Sequence, residues 1–127
     1  MINNKLKIRF NKVGLVPAVI QDYKTKDVYM VGYMNSQAFG LTKKTGRVHF
    51  YSRSRKKIWL KGEKSGNFQI VKSIYFDCDA DAVLVKIKQV GNAACHTGYK
   101  SCFYRKLDKN RLKLCGRKVF NPKEVYK

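Results

Sequence analysis

Short runs of β-branched and aromatic residues, interrupted by turn-forming residues, recur along most of the chain. Two of these runs, residues 16–21 and 28–33, flank a turn-like segment at 22–27 and predict a β-hairpin. Later runs of the same kind predict four more strands, at residues 48–52, 58–61, 68–77 and 82–89. With one helix between the second and third strands, the expected fold class is α+β, with a mostly antiparallel β-sheet.

The predicted helix has recognisable start and stop signals. Asn35 or Ser36 is suited to cap its first turn, and Gly46 fits the position just beyond its last turn. Lys43 and Lys44 stand near its C-terminal end, where the helix dipole favours cations. Residues that recur at helical spacing, and so predict its buried face, are Met34, Ala38, Leu41 and Thr45.

Length and composition indicate one globular domain over residues 1–127, with 44% hydrophobic residues and no linker or repeat. Met1 is followed by Ile2, Asn3, Asn4 and Lys5 rather than by an apolar leader. No run of about 18 apolar residues occurs that would predict a membrane-spanning helix. We therefore expect a cytoplasmic protein with no membrane partner.

The chain is strongly basic, with 28 Lys and Arg against 8 Asp and Glu and a formal net charge of +20. Such a charge is typical of nucleic-acid-binding proteins, but it attracts a polyanionic small molecule equally well. The basic residues are spread along the chain, and most are lysines, whereas bidentate phosphate and base contacts favour arginine. Charge alone therefore does not choose between these two classes of partner.

Three of the eight acidic residues lie within the five-residue run 77–81. In an extended strand, Asp77, Asp79 and Asp81 would line one face and Cys78 would point to the other. A row of carboxylates suits Mg²⁺ or a similar hard cation, whereas a thiolate suits Zn²⁺. The alternative is an acidic turn in which the aspartates cap backbone groups. Pairing of the flanking strands would place the run at their connecting turn.

Four cysteines are present: Cys78, Cys95, Cys102 and Cys115. In a cytosolic protein, grouped cysteines indicate metal ligands or catalytic groups rather than disulfides. Cys95 and Cys102 share a stretch rich in glycine and small polar residues that can wrap around an ion. Their spacing is wider than in structural zinc knuckles, and buried free thiols are a common alternative.

Several blocks in order carry a family resemblance. They are residues 14–22, 33–35, 45–46, 50–55, Trp59 with 61–63 and 65–67, 77–81, 94–98, 101–105 and 119–126. Together the blocks resemble phosphoribosyl-AMP cyclohydrolase, an enzyme of histidine biosynthesis, in its stand-alone, single-domain form. Lys64 is a departure, because the family commonly has threonine there.

The resemblance implies an intertwined homodimer with two kinds of metal site. Zn²⁺ would be held by Cys95 and Cys102 of one subunit and Cys78 of the other. Mg²⁺ would be held by the three aspartates, Asp77, Asp79 and Asp81. The implied reaction is hydrolytic opening of the adenine ring of N1-(5-phosphoribosyl)-AMP between N1 and C6. A three-ligand zinc site with an open position activates water for such chemistry.

Within this interpretation His96, next to a proposed ligand, is the candidate for proton transfer, since imidazole both accepts and returns a proton near neutral pH. A structural role for His96 is the alternative. His49 is expected to be a packed or surface residue. Candidate substrate-binding residues, chosen for two phosphomonoester groups, are Ser52, Arg53, Ser54, Lys61, Ser65 and Asn67. The neighbouring residues 55–57 are expected to form a solvated basic turn.

A second function class is a basic nucleic-acid-binding module with a structural zinc site. It would use the net charge and the aromatic strands, and it would close its zinc site with a fourth ligand, for which Cys115 is available. It gives no account of the acidic run, which would repel a phosphodiester. We therefore expect an enzyme with a small-molecule substrate and no nucleic-acid partner.

Overall fold

The computed structural model describes residues 7–125. Its elements in chain order are β1 (Val16–Asp22), β2 (Val28–Met34), α1 (Ser36–Thr45), β3 (His49–Ser52), β4 (Lys57–Leu60), β5 (Gln69–Phe76), β6 (Val83–Gln89), β7 (Arg105–Asp108), β8 (Arg111–Leu114) and α2 (Pro122–Val125). All six predicted strands and the predicted helix are present, within about two residues at each end. The N-terminal positions Ile2 to Lys5 and the tail residue Tyr126 lie outside the described residues.

The main sheet has four strands in the order β2-β1-β6-β5. β1 and β2 form the predicted antiparallel hairpin, and β5 pairs antiparallel with β6. The central pair, β1 and β6, is parallel, but the other four strand pairs among the described residues are antiparallel, so the prediction of an α+β fold with mostly antiparallel pairing is confirmed. A parallel pair needs a long crossover connection, and the chain between these strands includes α1 and four other strands.

The central strands explain where the core lies. β1 alternates buried and partly buried residues along its whole length, and β6 follows the same pattern except that Lys88 is exposed. Their fully buried side chains, together with those of β2 and the β3–β4 hairpin, form one hydrophobic cluster. Phe50 of β3 packs against Trp59 of β4, with 5.2 Å between ring centroids. The Phe50 ring also lies against Gly32 of β2, where an added Cβ would come within 2.4 Å of it, and this contact packs the small β3–β4 sheet against the main one.

Helix α1 begins and ends where the sequence predicts. The Asn35 side chain accepts a hydrogen bond from the Ala38 amide at 2.8 Å, and Gly46 adopts the left-handed conformation, with φ 72°. The buried face differs from the prediction, because Phe39 and Thr42 are buried whereas Thr45 is exposed. The Thr42 hydroxyl donates to the Ala38 carbonyl and accepts from the His49 amide, which satisfies its burial beside β3.

The C-terminal third is built differently. Every residue of the β7–β8 hairpin, which the sequence analysis did not predict, is exposed, and Leu107, Leu112 and Leu114 are 64–68% exposed. Among residues 7–125, no helix is long and apolar enough to cross a membrane.

Candidate active site

A cavity of about 700 Å³ opens beside the β3–β4 hairpin. Its walls come from β2, the turn and second strand of that hairpin, residues 61–65, the loop that carries Cys95 and Cys102, and α2. The volume is typical of a small-molecule site. Five sequence-predicted site residues line it: Ser52, Ser54, Lys61, Ser65 and His96, and the candidate zinc ligand Cys102 joins them.

The β3–β4 turn presents hydroxyls and a guanidinium to this cavity. The Ser52 hydroxyl accepts a hydrogen bond from the Arg55 amide at 3.2 Å and lies 3.4 Å from the Ser54 hydroxyl. Arg55 lines the cavity. Arg53, the predicted substrate residue, instead stacks its guanidinium over the Tyr33 ring, 4.1 Å from the centroid. Ser52, Ser54 and Arg55 therefore line the cavity and Arg53 does not, so the prediction of Arg53 is wrong, and Arg55, expected in a solvated basic turn, is the arginine at the site.

The loop after β4 is folded tightly enough to require a glycine. Gly62 has φ +95°, and a Cβ on it would lie 2.6 Å from the Asn67 backbone carbon. Lys64 and Ser65 line the cavity. Asn67, another predicted substrate residue, is absent from the cavity lining, and its backbone carbonyl accepts a hydrogen bond from the Gln89 side chain. In this structure Asn67 therefore holds the loop onto β6.

Lys61 is buried at the base of this cavity, with 8% of its surface exposed. Its ammonium group donates to the carbonyl of Ala94, the residue before Cys95. Burial lowers the Lys61 pKa, and the nearby negative charge of ionised Cys102 and Cys95 opposes that shift. The lysine thus ties the β4 end to the thiol loop and places a cation beside the two sulfur atoms.

The thiol loop, defined here as residues 93–102, is organised by its own backbone. Cys95 donates its amide hydrogen bond to Tyr99, and Gly98 donates to Cys95, which closes a tight turn. The Cys102 amide donates to the Tyr29 carbonyl of β2 at 2.7 Å. The two cysteines, seven positions apart in sequence, are brought together by this turn and by its attachment to the sheet.

The two thiols interact electrostatically. Burial raises the pKa of Cys102 to about 12, with further contributions from the charge and the hydrogen bond of Cys95, while Lys61 acts in the opposite direction. Cys102 is an exposed residue and Cys95 a buried one, and a hydrogen bond links their side chains. With its pKa raised, the Cys102 thiol is protonated at neutral pH in the absence of a cation. A soft cation such as Zn²⁺ fits this pair of donors, and its binding would displace the Cys102 proton.

The acidic run forms a turn between β5 and β6, as strand pairing predicted. The Asp77 carboxylate accepts from the Asp81 and Ala82 amides at 3.0 and 3.2 Å. Ligand atoms of Asp77, Asp79 and Asp81 lie within 4.8 Å of one another, and all three residues are exposed. Such a group of carboxylate oxygens has the chemistry that Mg²⁺ prefers.

The predicted strand alternation within the run is wrong. The chain turns after Asp77, and Ala80 takes a left-handed conformation with φ 60°, so the aspartates converge by turning rather than by lining a strand face. Cys78 is not separated from them, because its thiol lies 4.0 Å from a carboxylate oxygen of Asp79. Burial raises the Asp77 pKa, but the hydrogen bonds with Asp81, Ala82 and Asp79 together outweigh it, so that this pKa is lowered. The Asp81 pKa is raised by its contacts with Asp77 and Asp79.

Within residues 7–125, the aspartates are the one cluster of three potential metal ligands that meets this distance limit. Cys78, Cys95 and Cys102 do not form such a cluster in a single chain. His49 is half-buried and hydrogen-bonded to the Arg47 carbonyl, away from the cavity lining.

Among the lining residues that were not predicted as site residues, Met30, Arg55, Trp59 and Lys123 have side chains able to contact a ligand. Trp59 lies in β4, within one of the predicted strands. Lys123 lies 62 positions after Lys61, and the sequence does not indicate that these two lysines share a cavity.

Comparisons with known proteins agree on one family. Residues 30–104 match the sequence model of phosphoribosyl-AMP cyclohydrolase. The phosphoribosyl-AMP cyclohydrolase of Methanoregula boonei is 51% identical, over 95% of this chain and 95% of its own. That of Methanothrix thermoacetophila is 56% identical, over 89% of this chain and 90% of its own. The histidine biosynthesis bifunctional protein of Thermoanaerobacter pseudethanolicus is 50% identical over 99% of this chain, which spans 58% of that longer relative.

Proposed function

This chain belongs to the phosphoribosyl-AMP cyclohydrolase family, and from that premise we propose that it opens the adenine ring of N1-(5-phosphoribosyl)-AMP in histidine biosynthesis. Water adds to C6, the N1–C6 bond breaks, and a proton passes to N1, which leaves a formimino group and a carboxamide. The observation that carries the proposal is the cavity itself, where Cys102, His96 and Lys61 meet the hydroxyls of the β3–β4 turn.

The thiol pair is suited to hold Zn²⁺, with Cys78 of a partner subunit as the third ligand. The donors are soft sulfur atoms, the ligand type that suits Zn²⁺. When bound, zinc supplies a Lewis acid that makes water a stronger nucleophile near neutral pH. Lys61 holds the thiol loop through its hydrogen bond to the Ala94 carbonyl, and its ammonium group lies near the two sulfur atoms.

His96 is the proposed proton carrier. It is exposed, lines the cavity and directly follows Cys95, so it lies at the boundary between the thiol pair and solvent. An imidazole there can take a proton from the attacking water and return it to N1 as the ring opens. Trp59, which also lines the cavity, offers an aromatic face for the purine.

Substrate phosphates are proposed to bind at the β3–β4 turn and the following loop. The hydroxyls of Ser52, Ser54 and Ser65 and the guanidinium of Arg55 are the groups that the structure places on the cavity. Guanidinium and hydroxyl groups bind phosphate oxygens through charge-assisted hydrogen bonds. Arg53 and Asn67 are not part of this proposal, because they lie outside the lining.

Mg²⁺ is proposed to bind Asp77, Asp79 and Asp81. These carboxylates converge in one exposed turn, and a divalent cation would offset their mutual repulsion. The role proposed for this ion is to assist the reaction.

A homodimer is proposed because two features of the single chain need a partner. The thiol cluster has two members where a catalytic zinc site uses three protein ligands. The β7–β8 hairpin, together with Phe103, leaves large apolar side chains exposed, and a second copy would cover them.

The test is an absorbance assay for ring opening of phosphoribosyl-AMP, run on the purified protein before chelation, after chelation and after zinc is added back. We expect chelation to remove turnover and zinc to restore it in proportion to the zinc bound. Undiminished turnover by a demonstrably zinc-free protein would refute the zinc part of the proposal. Absence of ring opening by the fully metal-loaded protein would refute the reaction.

A further inference from the structure

We propose that Lys123 of α2 is a substrate-binding residue, and that its ammonium group binds a phosphate of the substrate at the cavity mouth. The inference rests on the proposed function and adds to it a residue from the C-terminal segment, defined here as residues 117–125. That segment is far in sequence from every other part of the cavity.

The first observation is where Lys123 lies. It lines the cavity together with Pro122, and both come from α2. Three further cations line the same cavity, namely Arg55, Lys61 and Lys64, whereas Glu63 is the one acidic residue among the described lining residues. The cavity is therefore strongly cationic.

The proposed substrate explains this excess of positive charge. It carries two phosphomonoesters, each of about −1.5 to −2 charges near neutral pH. Because Lys61 is buried and occupied by the Ala94 carbonyl, the exposed cations must supply much of the compensation. Arg55 and Lys64 come from the β3–β4 turn and the loop after β4, and Lys123 adds a cation from a separate segment. Two charged groups at opposite ends of a ligand need cations from more than one wall.

The second observation is that the C-terminal segment is held in place by the thiol loop. The amides of Val119 and Phe120 both donate to the Gly98 carbonyl, and the Lys100 amide donates to the Arg117 carbonyl at 2.8 Å. Gly98 stands between the two candidate zinc ligands of the loop. A Cβ on Gly98, which has φ +92°, would lie 1.9 Å from the Phe120 carbonyl oxygen, so only glycine permits this approach.

The third observation concerns the turn that carries Lys123. The Asn121 side-chain oxygen accepts from the Lys123 amide at 3.1 Å, and the Asn121 carbonyl accepts from the Glu124 amide at 3.0 Å. These bonds set the direction in which the chain enters α2. The placement of Lys123 on the cavity is therefore a product of local backbone structure, and the length of a lysine side chain lets it reach a ligand while it stays solvated.

The experiment compares Lys123→Ala with the matched control Lys118→Ala. Lys118 is an exposed lysine of the same segment that is not part of the cavity lining. Both variants lose one positive charge, so they change the overall field equally. We expect Lys123→Ala to raise KM for phosphoribosyl-AMP roughly tenfold with little change in kcat, as loss of one charge-assisted hydrogen bond does. Lys118→Ala should stay close to wild type, and Lys123→Arg should recover most of the loss.

A second readout separates this inference from the proposed reaction. AMP, which carries one of the phosphates and the purine, serves as a binding probe, and its affinity is measured by calorimetry for the wild type and both variants. Weaker AMP binding or a higher KM in Lys123→Ala alone supports the inference, even if ring opening itself were not observed. Equal KM and equal AMP affinity in the two variants, or an equal loss in both, would overturn it. Zinc content of each variant shows whether the thiol loop is intact.

Discussion

The acidic turn at 77–81 and the thiol loop at 93–102 are two candidate metal sites of opposite design. The acidic turn collects three carboxylates from five consecutive residues within 4.8 Å, all exposed to water. The thiol loop brings together two sulfur atoms that are seven positions apart, partly buried and fixed to the sheet through β2. A hard-ion cluster can therefore form locally, whereas the soft-ion cluster depends on tertiary structure and, in our proposal, on a second chain.

The two sites also differ in what happens without a cation. Water screens the repulsion among exposed aspartates, so the acidic turn keeps its charge at modest cost. Burial in the thiol loop instead raises the Cys102 pKa to about 12, so the Cys102 sulfur holds its proton. We therefore expect the structure of the thiol loop to be more sensitive to loss of its metal than that of the acidic turn.

The largest effect is expected from Cys95→Ser or Cys102→Ser. Serine keeps the size of the side chain but removes the soft donor, so zinc should be lost and ring opening should fall by about a thousandfold or more. Metal analysis and the absorbance assay measure the two outcomes. A Cys95→Ser protein with wild-type turnover would contradict the role assigned to the loop.

A mixing experiment tests whether the thiol site is completed by a partner subunit. Cys78→Ser and Cys102→Ser proteins should each be inactive, because every homodimer then lacks a ligand in both sites. In randomly paired mixtures, half the dimers are mixed and each has one intact site, so about one quarter of wild-type activity should return. No recovery after verified subunit exchange would count against a shared site.

Much of the framework that supports both sites follows from local sequence. Each of the six predicted strands is present in the structure. Asn35 and Gly46 cap α1 as expected, because capping depends on a few adjacent residues. The pairing of β5 with β6 likewise placed the acidic run at a turn.

What could not be predicted depends on contacts distant in sequence or on turn geometry. The parallel pairing of β1 with β6 is a property of the whole sheet, so the strand pattern did not reveal it. Arg53 contacts the Tyr33 ring, whereas Arg55 lines the cavity. Which of the two arginines reaches the cavity depends on the geometry of the β3–β4 turn, which the sequence pattern does not reveal. The strands of the β7–β8 hairpin are four residues long and contain no β-branched or aromatic residue, so they lack the signal by which the other strands were predicted.

Lys61→Met tests whether the thiol loop depends on a buried side chain from outside the loop. The substitution keeps the length of the side chain but leaves the buried Ala94 carbonyl without its donor, which costs about 1–3 kcal/mol. We expect a lower free energy of unfolding in urea and weaker zinc retention. Lys64→Met is the matched control, because Lys64 is an exposed lysine three positions further along the chain, and it should unfold like the wild type. Equal stability of the two variants would mean that Lys61 does not hold the loop.

A smaller effect is expected at the acidic turn. Asp79→Asn removes one carboxylate charge but leaves the hydrogen bonds of Asp77 that shape the turn. The Mg²⁺ concentration needed for half-maximal activity should rise about tenfold, as one fewer charged ligand implies. Zinc content should remain unchanged, since the thiol loop is separate. Loss of zinc together with the magnesium response would show that the two sites are not independent.

The smallest effect, none in either metal content or turnover, is expected from Cys115→Ser. Cys115 follows β8 and is exposed, and its amide donates to Tyr104 at 2.9 Å, an interaction that serine preserves because it involves only the backbone. If Cys115 completed a closed four-thiolate site, its loss would release zinc, as in a structural zinc protein. Unchanged zinc content and unchanged turnover would mean that Cys115 is not a ligand and that the zinc site has one open position, which a reaction with water requires. This substitution therefore decides between a catalytic and a structural metal site while leaving every other proposed ligand in place.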